Sequence, residues 1–144
     1  MGNHQFKVNA SDLAGNSSSK INFYSVQYTF GGFINLLPAP AQNTAQSGST
    51  VVVRYQLKDA NGAYVSNLAS FVSLTSYTAA CLTGVAFGEA EQVSAAGGTT
   101  LRYDAITNQF IFNWKTDASW GNSCRLLELT LADGSKHDAL MQFR

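Results

Sequence analysis

Apolar residues recur at every second position along most of the chain, and no stretch keeps a helical stripe for three turns. Val51, Val53, Tyr55 and Leu57 share one parity while Val52, Arg54, Gln56 and Lys58 share the other, and Asp59-Ala60-Asn61-Gly62 then supplies a turn. A pattern of period two gives one buried face to a strand but none to a helix, so an all-β architecture is expected. Phe6, Val8 and Ala10 alternate with polar residues up to Ser11, after which DLAGNSSS breaks the strand. Ile21 and Phe23 differ in parity from Val26, Tyr28 and Phe30, which predicts one strand bent near Tyr24 and Ser25.

Further strands are expected over 70–77, 99–104 and 109–114, the last burying Phe110, Phe112 and Trp114. Leu127, Leu129 and Leu131 lead through ADGSK to Ala139, Met141 and Phe143, a terminal hairpin. Pro38 and Pro40 mark 36–46 as an extended linker, and 82–98 reads as a long irregular connection. The 144 residues suit one core of this kind, and short strands with polar turns and no amphipathic helices predict a Greek-key sandwich. The fold expected is an immunoglobulin-like antiparallel β-sandwich of about seven or eight strands.

Nine basic and nine acidic residues cancel, which removes the attraction that nucleic acids or anionic membrane surfaces require. No apolar run approaches the length of a membrane-spanning helix, so no membrane insertion is expected, and the opening MGNHQFKVNAS is not a signal peptide. Charged residues are only 12% of the chain, with Ser, Thr, Asn, Gln and Gly in their place, as in many exported β proteins. By themselves the two cysteines fit either inert core thiols or one bridge.

The segment from Tyr24 to Arg144 resembles the PxKF domain family, a module near the C-termini of bacterial exported and cell-surface proteins. The resemblance is carried by YTFGGFINLLPAPAQNTAQSGSTVVVRYQLKDANG and by YDAITNQFIFNWKTDASWGNSCRLLELTLADGSKHDALMQFR. The Pro-x-Lys-Phe motif itself stands here as Val52, Val53, Arg54 and Tyr55, so the proline is lost and one more ladder bond is expected at Val52. The resemblance implies export, an Ig-like module without an activity of its own, and a disulfide between Cys81 and Cys124. Upstream, HQFKVNASDLAGNSSS resembles the last strand and exit turn of bacterial Ig-like repeats. The division expected is therefore a terminal strand and linker over 1–19, belonging to a preceding Ig-like domain, and a sandwich over 20–144.

Candidate sites are few. His4 and His137 lie far apart with no activating motif beside them, so no catalytic site, no zinc site and no cofactor are expected. Asp12 with Asn16, Asp59 with Asn61, and Glu89 with Glu91 offer oxygens for calcium, although Asp and Asn in turns ordinarily bond the local backbone. Lys7, Lys20, Lys58 and Lys115 are read as solvated rather than as isopeptide donors, and Asn9 and Asn16 as turn residues rather than glycosylation acceptors. Trp120 in DASWGNS and Tyr64 in NGAYVSN are candidate platforms for a sugar or partner.

These readings predict a non-enzymatic structural, spacer or adhesive module of a bacterial extracellular or cell-surface protein, whose partners are neighbouring domains or copies of itself. A filament joined by donation of the Phe6, Val8 and Ala10 strand is the first alternative, since that strand has no evident sheet to join. A carbohydrate-binding module is the second.

Overall fold

The computed structural model describes residues 2–98 and 100–144; Met1 lies outside the described residues, as does Thr99, the expected start of a strand. Two twisted sheets pack face to face. One has the order β3 (Thr29–Phe33), β5 (Thr50–Lys58), β9 (Gln109–Lys115), β8 (Arg102–Asp104). The other has the order β4 (Gln42–Ala45), β11 (Lys136–Phe143), β10 (Cys124–Leu131), β6 (Phe71–Ala79), β7 (Glu91–Gln92). These are the A-B-E-D and G-F-C-C′ orders of an immunoglobulin-like sandwich, with β4 added beside the last strand.

Among the described residues the sandwich has nine strands, more than the expected seven or eight because of β4 and β7. QNTA has no apolar alternation, and β4 pairs parallel to β11 at the sheet edge, with Leu140 opposite Gln42 and Phe143 opposite Ala45. Its start is anchored by Asn43, whose Nδ2 donates to the carbonyls of Leu37 (2.9 Å) and Leu140 (3.1 Å) and whose Oδ1 accepts from the Leu37 amide. The proline segment leading to it contains a cis peptide bond between Ala39 and Pro40.

The core follows the parities read from the sequence. Val53, Tyr55 and Leu57 of β5 and Phe110, Phe112 and Trp114 of β9 meet Leu127, Leu129, Leu131, Ala139, Met141 and Phe143 of the opposite sheet. At Val52 the ladder is continued by a side chain. The partner strand β3 ends with Phe33 opposite Tyr55, and Asn35 donates to the Val52 carbonyl and accepts from the Arg54 amide. Asn35 thus meets the Val52 carbonyl and the Arg54 amide, whereas the extra bond expected from the missing proline concerns the Val52 N–H.

Tyr55 is buried, stacked on Phe110 at 5.0 Å, and its hydroxyl has no hydrogen-bond partner among the described residues. Burial pushes that phenol far above its ordinary pKa. Since the hydroxyl is desolvated without compensation, Tyr55→Phe is expected to be neutral or stabilising by up to about 1 kcal/mol. Chemical denaturation will show it, and a loss of more than 1 kcal/mol would mean that a partner for the hydroxyl exists.

The largest departure from expectation lies at the N-terminus. Residues 21–30 do not form one bent strand. Ser17–Val26 (β2) pairs antiparallel with Gly2–Ser11 (β1) along its whole length, from Gly2 opposite Val26 to Ser11 opposite Ser17, as a separate two-stranded sheet. The break falls at Gln27 and Tyr28, and the sandwich begins with β3. The expected division at 19/20 thus falls inside β2, and the change of parity marks a change of sheet.

Candidate functional site

Hydrogen bonding within the 12–16 turn closes the β1–β2 hairpin. The Asp12 Oδ1 accepts from the amides of Ala14 and Asn16, both at 2.9 Å, while Asn16 Nδ2 donates to Oδ2 at 2.8 Å. The side-chain bond from Asn16, followed by its amide, holds the Asp12 carboxyl below its ordinary pKa. These two residues, offered as calcium ligands, are engaged in shaping the turn. Asp59 does the same work in its own turn, accepting from the amides of Asn61 (2.8 Å) and Ala63 (3.0 Å). Glu89 is exposed and Glu91 is committed elsewhere, and no group of three potential ligands converges among the described residues.

Cross-strand partners in the hairpin share a face, so Phe6, Val8 and Ala10 lie on the face that also carries Tyr24 and Val26. Tyr24 stacks on His4 at 5.4 Å and tilts against Phe6. Among the described residues no second layer packs on either face: Phe6 is 51% exposed and Phe23, on the opposite face, 77%. The strand that seemed to lack a sheet is paired on one side by β2, which sequence alone assigned to the sandwich. What stays open is the outer edge of each strand and both faces.

A second feature lies between the two sheets, at the end where Cys81 and Cys124 are joined. Cys124 begins β10 opposite Ala79 at the end of β6, and the bridge to Cys81 spans 43 residues of sequence. Such a bond fits an oxidising setting. Beside it, Arg125 faces inward on the parity of Leu127 and Leu129 and is 4% exposed. Its Nη2 lies 2.5 Å from Glu91 Oε2 but makes no aligned hydrogen bond, its Nε donates to Ser76 Oγ at 3.3 Å, and the guanidinium lies 4.0 Å from the ring centre of Trp120. Ser76, Glu91 and Trp120, the groups that touch Arg125, line a cleft of about 430 Å³ together with Gln92, Ser94 and Lys115 among others, and Arg125 itself lies behind that lining.

Trp120 is therefore not an open platform, since Arg125 covers one face and Trp114 and Phe143 pack against the ring at 5.8 and 5.5 Å. Tyr64 is 44% exposed, under the Lys58 ammonium at 4.9 Å, and shares no site with Trp120. Sequence reading passed over Arg125, although a lone charge at an inward position of CRLLELTL was the available signal.

His137 stacks on Phe30 at 3.8 Å, with its Nε2 3.2 Å from Ser135 Oγ. Ser135 in turn donates to Asp133 Oδ1 at 2.6 Å. The order is acid, serine, histidine, whereas nucleophile activation needs the histidine in the middle. Burial raises the Asp133 pKa, but the bonds from Ser135 and from the Tyr28 amide outweigh it and keep the carboxyl below its ordinary range. For His137 burial prevails over the attraction of Asp133 and lowers the imidazole pKa. The folded state thus disfavours protonated His137. Its contribution is fully present above the unfolded value near 6.5 and is lost as pH falls from there through the lower folded value. His137→Phe is expected to flatten the fall in melting temperature below about pH 6.5, read by calorimetry, where the wild type declines.

No family model and no curated protein match the chain. Fold and surface together define an immunoglobulin-like sandwich carrying an N-terminal β-hairpin.

Proposed function

We propose that this chain is a non-enzymatic structural module of a bacterial extracellular or cell-surface protein, serving as a spacer within a series of similar units. The observation that carries this reading is the path of the chain. It reaches the sandwich at Tyr28, whose amide donates to Asp133 in the β10–β11 turn at 2.6 Å. Arg144, after the far end of β11, is held by its amide donating to Ala45 and its carbonyl accepting from Ser47. The eight residues of β11 put these points about 25 Å apart, so units joined at both would be spaced by the length of the sandwich.

An isolated two-stranded hairpin is marginal in water, and this one exposes Phe6, Val8 and Phe23. Its structure repeats the β10–β11 pair, two long strands closed by an Asp-containing turn, whose apolar face is covered by the opposite sheet. In the proposed arrangement the hairpin closes an adjoining Ig-like unit that covers it in the same way. The disulfide and the PxKF resemblance of 24–144 support an exported setting.

The open edges also favour a second reading, in which the hairpin joins copies of the chain into a filament, now through the paired β1 and β2 rather than one donated strand. Comparing the full chain with residues 27–144 separates the two. For the spacer, both are monomeric by light scattering and melt within about 2 °C of each other, because the hairpin adds nothing to the core. Filaments in electron micrographs of the full chain alone would establish the second reading, and a large loss of stability in the shortened chain would sink the first.

A further inference from the structure

We propose that the cleft between the sheets binds a small carboxylate of the sugar-acid class, with Arg125 as its charge partner and Glu91 as the internal group that the ligand displaces. An arginine turned inward among leucines is costly unless its donors and charge are met. Here the guanidinium has five N–H groups, yet among the described residues its partners are one long bond to Ser76 and an ion pair with Glu91 that gives Nη2 no aligned hydrogen bond. Trp120 covers the guanidinium at 4.0 Å and Ser76 takes its Nε, so a carboxylate reaches Arg125 by taking the place of Glu91 in the cleft lining.

Glu91 is the member of the pair that can yield. It sits on β7, an edge strand of two residues, and its side chain is 55% exposed while that of Arg125 is 5% exposed. A ligand carboxylate replacing Glu91 exchanges one anion for another, so Arg125 stays neutralised throughout. The cleft, at about 430 Å³, is of a size to hold a monosaccharide, and Gln92, Ser94 and Ser76 offer groups that match sugar hydroxyls. Lys115 is the positive charge of the lining itself, with the Asp117 carboxylate attracted to it. An added peptide strand is the poorer occupant, because β7 presents only two residues of edge. The inference rests on the cleft alone and holds whether or not another unit covers the hairpin.

Both tryptophans of the chain, Trp114 and Trp120, line the cleft, so intrinsic fluorescence reports on its occupation. The full chain is titrated with D-glucuronate at constant ionic strength, with D-glucose and acetate in parallel. A saturable change with glucuronate is expected, with none from glucose and a far weaker one from acetate. Glu91→Gln should tighten glucuronate binding about tenfold by removing the competitor, and Arg125→Gln should abolish it. Should Arg125→Gln fail to fold, Glu91→Gln decides, and equal affinity in that variant and the wild type overturns the displacement. An equal response to glucose overturns the role of Arg125, an equal response to acetate overturns the sugar-acid class, and no response in either wild type or Glu91→Gln overturns the site.

Discussion

Replacing both cysteines, as Cys81→Ala with Cys124→Ala, is expected to lower stability by about 4 kcal/mol, the chain-entropy value for the 43-residue separation. For a sandwich of this size that is a fall of about 15 °C in melting temperature, a large share of a domain's net stability. The variant should nevertheless fold. In antibody domains the bridge crosses between sheets, whereas here it ties the end of β6 to the start of β10 within one sheet, where Ala79 already faces Cys124. Contact between the sheets is left to the hydrophobic core. The bridge instead secures the long connection after Ala79, together with Gln42, whose side chain donates to the Cys81 carbonyl. Thermal melts with and without reductant, followed by near-ultraviolet circular dichroism, test both halves. An unshifted melting temperature refutes the entropic role, and loss of tertiary signal at 25 °C refutes the claim that the core suffices.

Strand parity made most of the sandwich legible. Alternation in β5, β9, β10 and β11 identified the residues that fill the core, because a strand buried on one face cannot hide its period. The signal failed where burial does not follow that rule. β4 is short and polar, held by parallel pairing and by Asn43, so nothing in QNTA marks it. β2 alternates as a sandwich strand does yet buries nothing, and only its pairing with β1 reveals that it belongs elsewhere. The cleft was hidden for a related reason. Ser76, Glu91, Trp120 and Arg125 come from three strands and a turn, and their convergence is a product of the sheet order, although Arg125 on its leucine parity was visible locally.

Trp114→Ala is expected to be the most damaging single substitution outside the bridge, at about 3–5 kcal/mol. The side chain is fully buried on β9, packed edge-on against Phe143 at 5.7 Å and against Trp120 at 5.8 Å. Its loss leaves a cavity between the sheets at the end where the core stops and Arg125 begins. Collapse to fill it is opposed on both sides, by strand pairing of Trp114 with Val51 and by the guanidinium that cannot follow into apolar space. Trp114→Phe should recover part of the loss, since Phe keeps the edge-on contact with Phe143. Trp120→Ala should cost less, because that ring is half-exposed and its main contribution is to the Arg125 stack. Because Trp114 and Phe143 touch, the Trp114→Ala, Phe143→Ala double variant should lose less than the two single losses combined, by about 1 kcal/mol or more in denaturant titrations. Additive losses would mean that the two rings stabilise the sandwich independently, and that the aromatic cluster backing the cleft is not one packed unit.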